Sequence, residues 1–140
     1  MKSAQDIASI LKLALRYHRE GNLDYAEYIY QHMLDIDSQN ADALHFLGVI
    51  SYQSGQYEIV VNLITQAIKI NSTKPEFFTN LGNVFHKQEK LEESIQAHQK
   101  AIQIQPDYTK VHTNVLIIII LSHFGYNISP NHCCFSTNTI

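Results

Sequence analysis

The feature that most limits what this chain can fold into is its likeness to itself after a shift of 34 residues. Blocks that begin at Ile7, Ala41 and Pro75 carry like residues at like places. The fourth place holds Ile10, Leu44 and Phe78; the seventh holds Leu13, Leu47 and Leu81. The eighth is small in all three, as Ala14, Gly48 and Gly82. The fifteenth is Gly21, Gly55 and Glu89, the twentieth Ala26, Val60 and Ser94, and the twenty-fourth Tyr30, Ile64 and His98. Met33, Ala67 and Ala101 fill the twenty-seventh, and Ser38, Ser72 and Pro106 the thirty-second.

Places four, seven, eight and eleven draw one apolar stripe at the helical period, and places seventeen, twenty, twenty-four and twenty-seven draw a second. Short polar breaks, "EGN", "SGQ" and "QEK", separate the stripes, with glycine suited to ending a helix. Each block therefore reads as two antiparallel helices joined by a tight turn. The mostly small residues at places eight and twenty let the two backbones come close. Pro106 fits the start of a turn between blocks. The pattern predicts helices near residues 4–20, 24–37, 41–54, 57–71, 75–88, 91–105 and 109–123, and an irregular tail over 124–140. The expected fold class is all-α: an α-solenoid of about three helix pairs plus an extra C-terminal helix. The array would run over 1–123, with units 7–40, 41–74 and 75–108 and a partial fourth from 109.

Composition narrows the function. The chain is 45% apolar and 16% charged, which is the range of folded proteins. Its net charge is −3 and its ten Lys and Arg are scattered, so no nucleic-acid or anionic-membrane footprint is expected. The longest apolar run, "VLIIIIL" at 115–121, falls far short of a membrane span. The start has no secretory pattern, and the adjacent Cys133 and Cys134 form no disulfide framework, so a cytoplasmic protein is expected.

The pattern resembles the tetratricopeptide repeat over residues 7–108, through leucine at place seven, a small residue at eight, glycine at fifteen and small residues at twenty and twenty-seven. Ser51 at the usually aromatic place eleven and the bulky Val60 at place twenty depart from it, so the second unit is expected to pack wider. Residues 43–68, "ALHFLGVISYQSGQYEIVVNLITQAI", followed by "NLGNVFHKQEKLEESI", are similar to the repeat region of large bacterial proteins related to O-linked N-acetylglucosamine transferases. Residues 107–130 look like the stretch that leads on to the catalytic part in that family. The resemblance implies a repeat portion without its enzyme, so no catalytic residue is assigned and no cofactor is expected.

In such arrays the first helix of each pair lines a concave face. The candidate groove residues are Lys12, His18, His45, Phe46, Val49, Tyr52, Asn80, Asn83, His86 and Asn114. The resemblance implies that Asn80 and Asn114, both at place six, hydrogen-bond the backbone of an extended peptide. An amide suits that role because it both donates and accepts. The carboxylate clamp that repeats of this kind use on chaperone tails is disfavoured, because Glu76 stands where a lysine is needed. His18, Tyr52 and His86 share place twelve with no ligand spacing around them, so no metal is expected. The last helix is apolar on every side. Ile117, Ile120 and Leu121 should point away from its neighbour, which suggests docking on another domain or a second copy, a covering tail, or a remnant of a longer protein. Self-association is the expectation. Two functions stay open: a non-catalytic scaffold for peptides, and the substrate-recognition part of a glycosyltransferase.

Overall fold

The computed structural model describes residues 3–123. The expected tail at 124–140 lies outside them, and so does the side chain of Leu121. Helices α1 (Ala4–Arg19), α2 (Leu23–Ile36), α3 (Ala41–Gln53), α4 (Tyr57–Ile70), α5 (Pro75–Lys87), α6 (Leu91–Ile104) and α7 (Thr109–His123) follow in order, and no strand occurs among the described residues. The all-α expectation holds, and each helix begins and ends within one residue of its place in the sequence pattern.

Local chemistry sets the ends. Ser3 and Asp6 form a reciprocal capping box at the start of α1, Asn40 Oδ1 accepts from the Ala43 amide at the start of α3, and Pro75 occupies the first turn of α5. The three first helices end alike. In α1 the Asn22 amide donates to the Tyr17 carbonyl at 2.9 Å and the Gly21 amide to that of His18 at 3.1 Å. The same pair recurs as Gln56 to Ser51 with Gly55 to Tyr52, and as Lys90 to Phe85 with Glu89 to His86. This cap needs a left-handed residue at place fifteen. Gly21 and Gly55 adopt φ of 78° and 72° without strain, whereas Glu89 is forced to 61°.

The helices fall into two compact units, α1–α4 up to Ile70 and α5–α7 from Asn71. In the first, α1 packs on α2, α2 on α3 and α3 on α4. Its core joins Ala14, Ala26, Tyr30, Met33, Ala43, Leu47 and Ile50, with Ile10, Tyr17 and Leu63 against them. In the second, α5 packs on α6 and α6 on α7, burying Phe77, Val84, Ala101, Val111 and Ile118.

Within each pair the crossing sits at place eight. A Cβ on Gly82 would stand 2.7 Å from His98 Cε1, and one on Gly48 would stand 2.9 Å from Ile64 Cγ1. At place twenty, Ala26, Val60 and Ser94 are all fully buried. The Ser94 hydroxyl donates to the Gly82 carbonyl at 2.8 Å, tying α6 to the backbone of α5 at the crossing.

The strained cap can be tested. Glu89→Gly should stabilise the fold by about 0.5–1 kcal/mol, because relief of the left-handed strain outweighs the greater freedom of glycine in the unfolded chain. Gly21→Ala should destabilise it by about 1 kcal/mol, although nothing lies within 4 Å of the added methyl group. Urea unfolding of both variants reads the two signs.

Candidate functional site: polar faces of the first helices

In the first unit three of the expected groove residues meet around one tyrosine. Tyr30, at place twenty-four of α2, is fully buried. Its hydroxyl lies 3.3 Å from His18 Nδ1, with the imidazole tautomer deciding which of the two donates. The Phe46 ring stacks on Tyr30 with centroids 5.4 Å apart and meets the His18 ring edge-on at 6.4 Å. His45 lies against Phe46 at 4.9 Å. Offset and edge-on contacts of this kind suit the ring quadrupoles. Burial lowers the pKa of His18 and raises that of Tyr30, the latter opposed in part by the charge of Arg19. The pair is thus neutral, a phenol and an imidazole sharing one hydrogen bond. Val49 and Tyr52 are buried on α3, and Lys12 is exposed on α1.

In the second unit Asn80, Asn83 and His86 are spaced by three along α5, with Thr79 beside Asn80, and all four are buried. Thr79 Oγ1 donates to the Pro75 carbonyl at 3.0 Å. Thr79 also bonds the half-buried Tyr108, whose phenol pKa is raised by burial and by the charge of Glu76. Asn114 is half-buried on α7. His112 Nε2 lies 2.9 Å from the Pro106 carbonyl, which secures the turn into α7.

The sequence reading passed over His98. It occupies the place that Tyr30 and Ile64 take in the other pairs, on the apolar stripe of α6, and it is 1% exposed. Neither of its ring nitrogens has a hydrogen-bond partner, nor does Nδ1 of His86. Burial first, and the neighbouring His86 second, push the His98 pKa down to about 4. A polar residue at an otherwise apolar place was the signal available beforehand. Among the described residues no group of three or more His, Cys, Asp or Glu could hold a metal ion.

Residues 75–108, spanning α5 and α6, match the tetratricopeptide repeat family. The chain as a whole resembles proteins built from such repeats. It is 24% identical over 82 residues to the peroxisomal targeting signal receptor of Candida glabrata, covering 59% of this chain and 14% of the receptor. Among solved structures, the O-GlcNAc transferase of Thermobaculum terrenum superposes with a TM-score of 0.78 at 26% identity, over 85% of this chain and 23% of the transferase. The Yersinia enterocolitica type III secretion chaperone SycD, in complex with a peptide of the translocator YopD, superposes at 0.77 with 16% identity, over 86% of this chain and 97% of the chaperone. The chain thus spans 14% and 23% of the two longer proteins, and the likeness to SycD is one of fold.

The state of His98 has a measurable consequence. A histidine that is neutral in the fold down to about pH 4, but takes a proton near 6.5 when unfolded, withdraws stability as pH falls through that window. The loss amounts to about 3 kcal/mol by pH 4. His18 and His86 are shifted in the same direction. His98→Ile, which installs the residue that α4 uses at this place, should flatten the fall of Tm between pH 6.5 and 4. It should also raise Tm at neutral pH by removing two unbonded nitrogens.

Proposed function

We propose that the chain is a non-catalytic interaction module whose first helices bind an extended peptide. The observation that carries this reading is the likeness to a chain of similar length solved with a peptide, since 86% of this chain superposes on 97% of SycD. The polar faces add chemical support. Asn114 on α7 stands 34 residues after the buried Asn80 of α5 and carries both a donor and an acceptor, which matches the mixed needs of a peptide backbone. Burial divides the work. In the second unit Asn114 keeps accessible surface and would touch the ligand, while Asn80, Asn83 and His86 are buried and would hold its setting. In the first unit Lys12 and Phe46 are the accessible residues, and His18, His45, Val49 and Tyr52 lie beneath.

A second reading rests on the 26% identity with the T. terrenum transferase, over the repeat-like part of this chain. Under it the same faces select the substrate of a glycosyltransferase whose catalytic part lies elsewhere. A coding continuation beyond codon 140 that resembles a transferase would favour it.

Peptide arrays probed with the 140-residue chain, followed by fluorescence polarisation on the hits, test the module. Asn114→Ala and Phe46→Ala should each weaken binding by about tenfold, the loss of one or two hydrogen bonds or one packed ring. Glu92→Ala, on the exposed first turn of α6, should leave binding unchanged. Asn80→Ala should lower Tm as well as affinity. Absence of any hit, or hits indifferent to both Asn114→Ala and Phe46→Ala, would overturn the reading.

A further inference from the structure

The outer side of α2 carries an acidic and aromatic cleft that the repeat does not require. Tyr25 and Tyr28 are three residues apart and Asp24 stands four before Tyr28, so the three side chains share one side of the helix. The rings are 61% and 71% exposed, and with Asp24 they border an open cleft of about 320 Å³. All three lie on a second helix, whereas the candidate groove lies on first helices.

The other pairs keep the carboxylate and lack the rings. Counted from Ile7, Asp24 stands at place eighteen, and Glu58 and Glu92 hold the same place in the next two blocks. An acid in the first turn is favoured by the helix dipole, which accounts for it in every pair. The tyrosines have no such reason. Places nineteen and twenty-two hold Tyr25 and Tyr28 in the first pair, Ile59 and Asn62 in the second, and Glu93 and Gln96 in the third. Two neighbouring rings held mostly in water are therefore particular to this pair and serve no core.

The adjoining rings show what such a cleft accepts. Tyr25 stacks on Tyr17 with centroids 5.5 Å apart and 24° between the planes. The guanidinium of Arg16 lies over Tyr17 at 5.5 Å. A cation over a tyrosine face is drawn to the ring quadrupole. Charge favours another cation beside Tyr25 and Tyr28, because α2 carries Asp24, Glu27 and Asp35 and no Lys or Arg. A guanidinium suits the cleft better than an ammonium. It is flat, stacks on rings, is weakly hydrated, and offers two parallel N–H groups to one carboxylate. We propose that Tyr25, Tyr28 and Asp24 form a site for an arginine side chain of a partner protein, its guanidinium against the rings and paired with Asp24.

Titration of the 140-residue chain with acetyl-Gly-Arg-Gly-amide, followed by NMR of the tyrosine rings, tests the site. The Tyr25 and Tyr28 resonances should shift and saturate. The citrulline peptide, alike in shape but uncharged, should bind about tenfold more weakly, and the lysine peptide about threefold. Asp24→Asn and Tyr28→Ala should each weaken arginine binding by about threefold. Both alter exposed residues, and circular dichroism checks that each variant keeps its helices. Glu92→Gln, at the same place on α6 where no tyrosine stands, should leave binding unchanged. No shift at Tyr25 and Tyr28 overturns the proposal. So does equal binding of the arginine peptide and either of its counterparts, or binding indifferent to both Asp24→Asn and Tyr28→Ala.

Discussion

The close crossing inside each helix pair is the constraint on which the rest of the structure depends. At place eight the first helix offers a methyl group or a bare Cα, and the side chain at place twenty-four of the second helix lies directly on it. Such contact leaves no freedom in separation, because a single carbon would have to displace Ile64 or His98. The separation in turn fixes the length of the connection. The same two cap hydrogen bonds recur after α1, α3 and α5, with the left-handed residue always at place fifteen. In the third pair the demand is strong enough to force a glutamate into a conformation that favours glycine.

The residue at place twenty-four must satisfy the crossing and also its own chemistry, and the three pairs do this differently. Ile64 has nothing to satisfy. Tyr30 carries a hydroxyl into the core and meets it with His18 Nδ1, twelve residues earlier on the facing helix, while His18 Nε2 is left without a partner. His98 fits the shape and leaves two nitrogens without partners, with His86 close enough to oppose its protonation. The α5–α6 pair therefore carries the acid-sensitive weak point of its unit, at the same hairpin that bears the buried amide stripe Asn80–Asn83.

The architecture was legible because the period repeats three times. Helix ends agree to within a residue since the caps rest on named residues, glycine at place fifteen and proline at 75, rather than on propensity. Burial along the first helices was not legible in the same way. The expected lining positions include Val49, Tyr52, Asn80 and His86, all of them buried. Whether such a position meets water depends on the helices to either side, which a helical wheel does not contain. The Tyr30–His18 bond was hidden too, because His18 stands at place twelve, outside the apolar stripe that faces Tyr30. So was the cost of His98, because it depends on what lies near two ring nitrogens in three dimensions. Leu13 shows the converse: it holds the place of the buried Leu47, yet is 39% exposed.

A repeat of this kind extends only while each new first helix offers a small residue at the crossing. α7 keeps the period in its length and in Asn114 at place six, and breaks it at place eight with Leu116. The two signals lie on different sides of one helix. At 3.6 residues per turn, Asn114 and Ile120 are separated by about 120° around the axis. Asn114 is half-buried toward the used face, and Ile120 points outward. Ile117 and Ile120 stand at places nine and twelve, those of Val49 and Asn83 and of His18, Tyr52 and His86, so they share the face that carries the candidate groove residues.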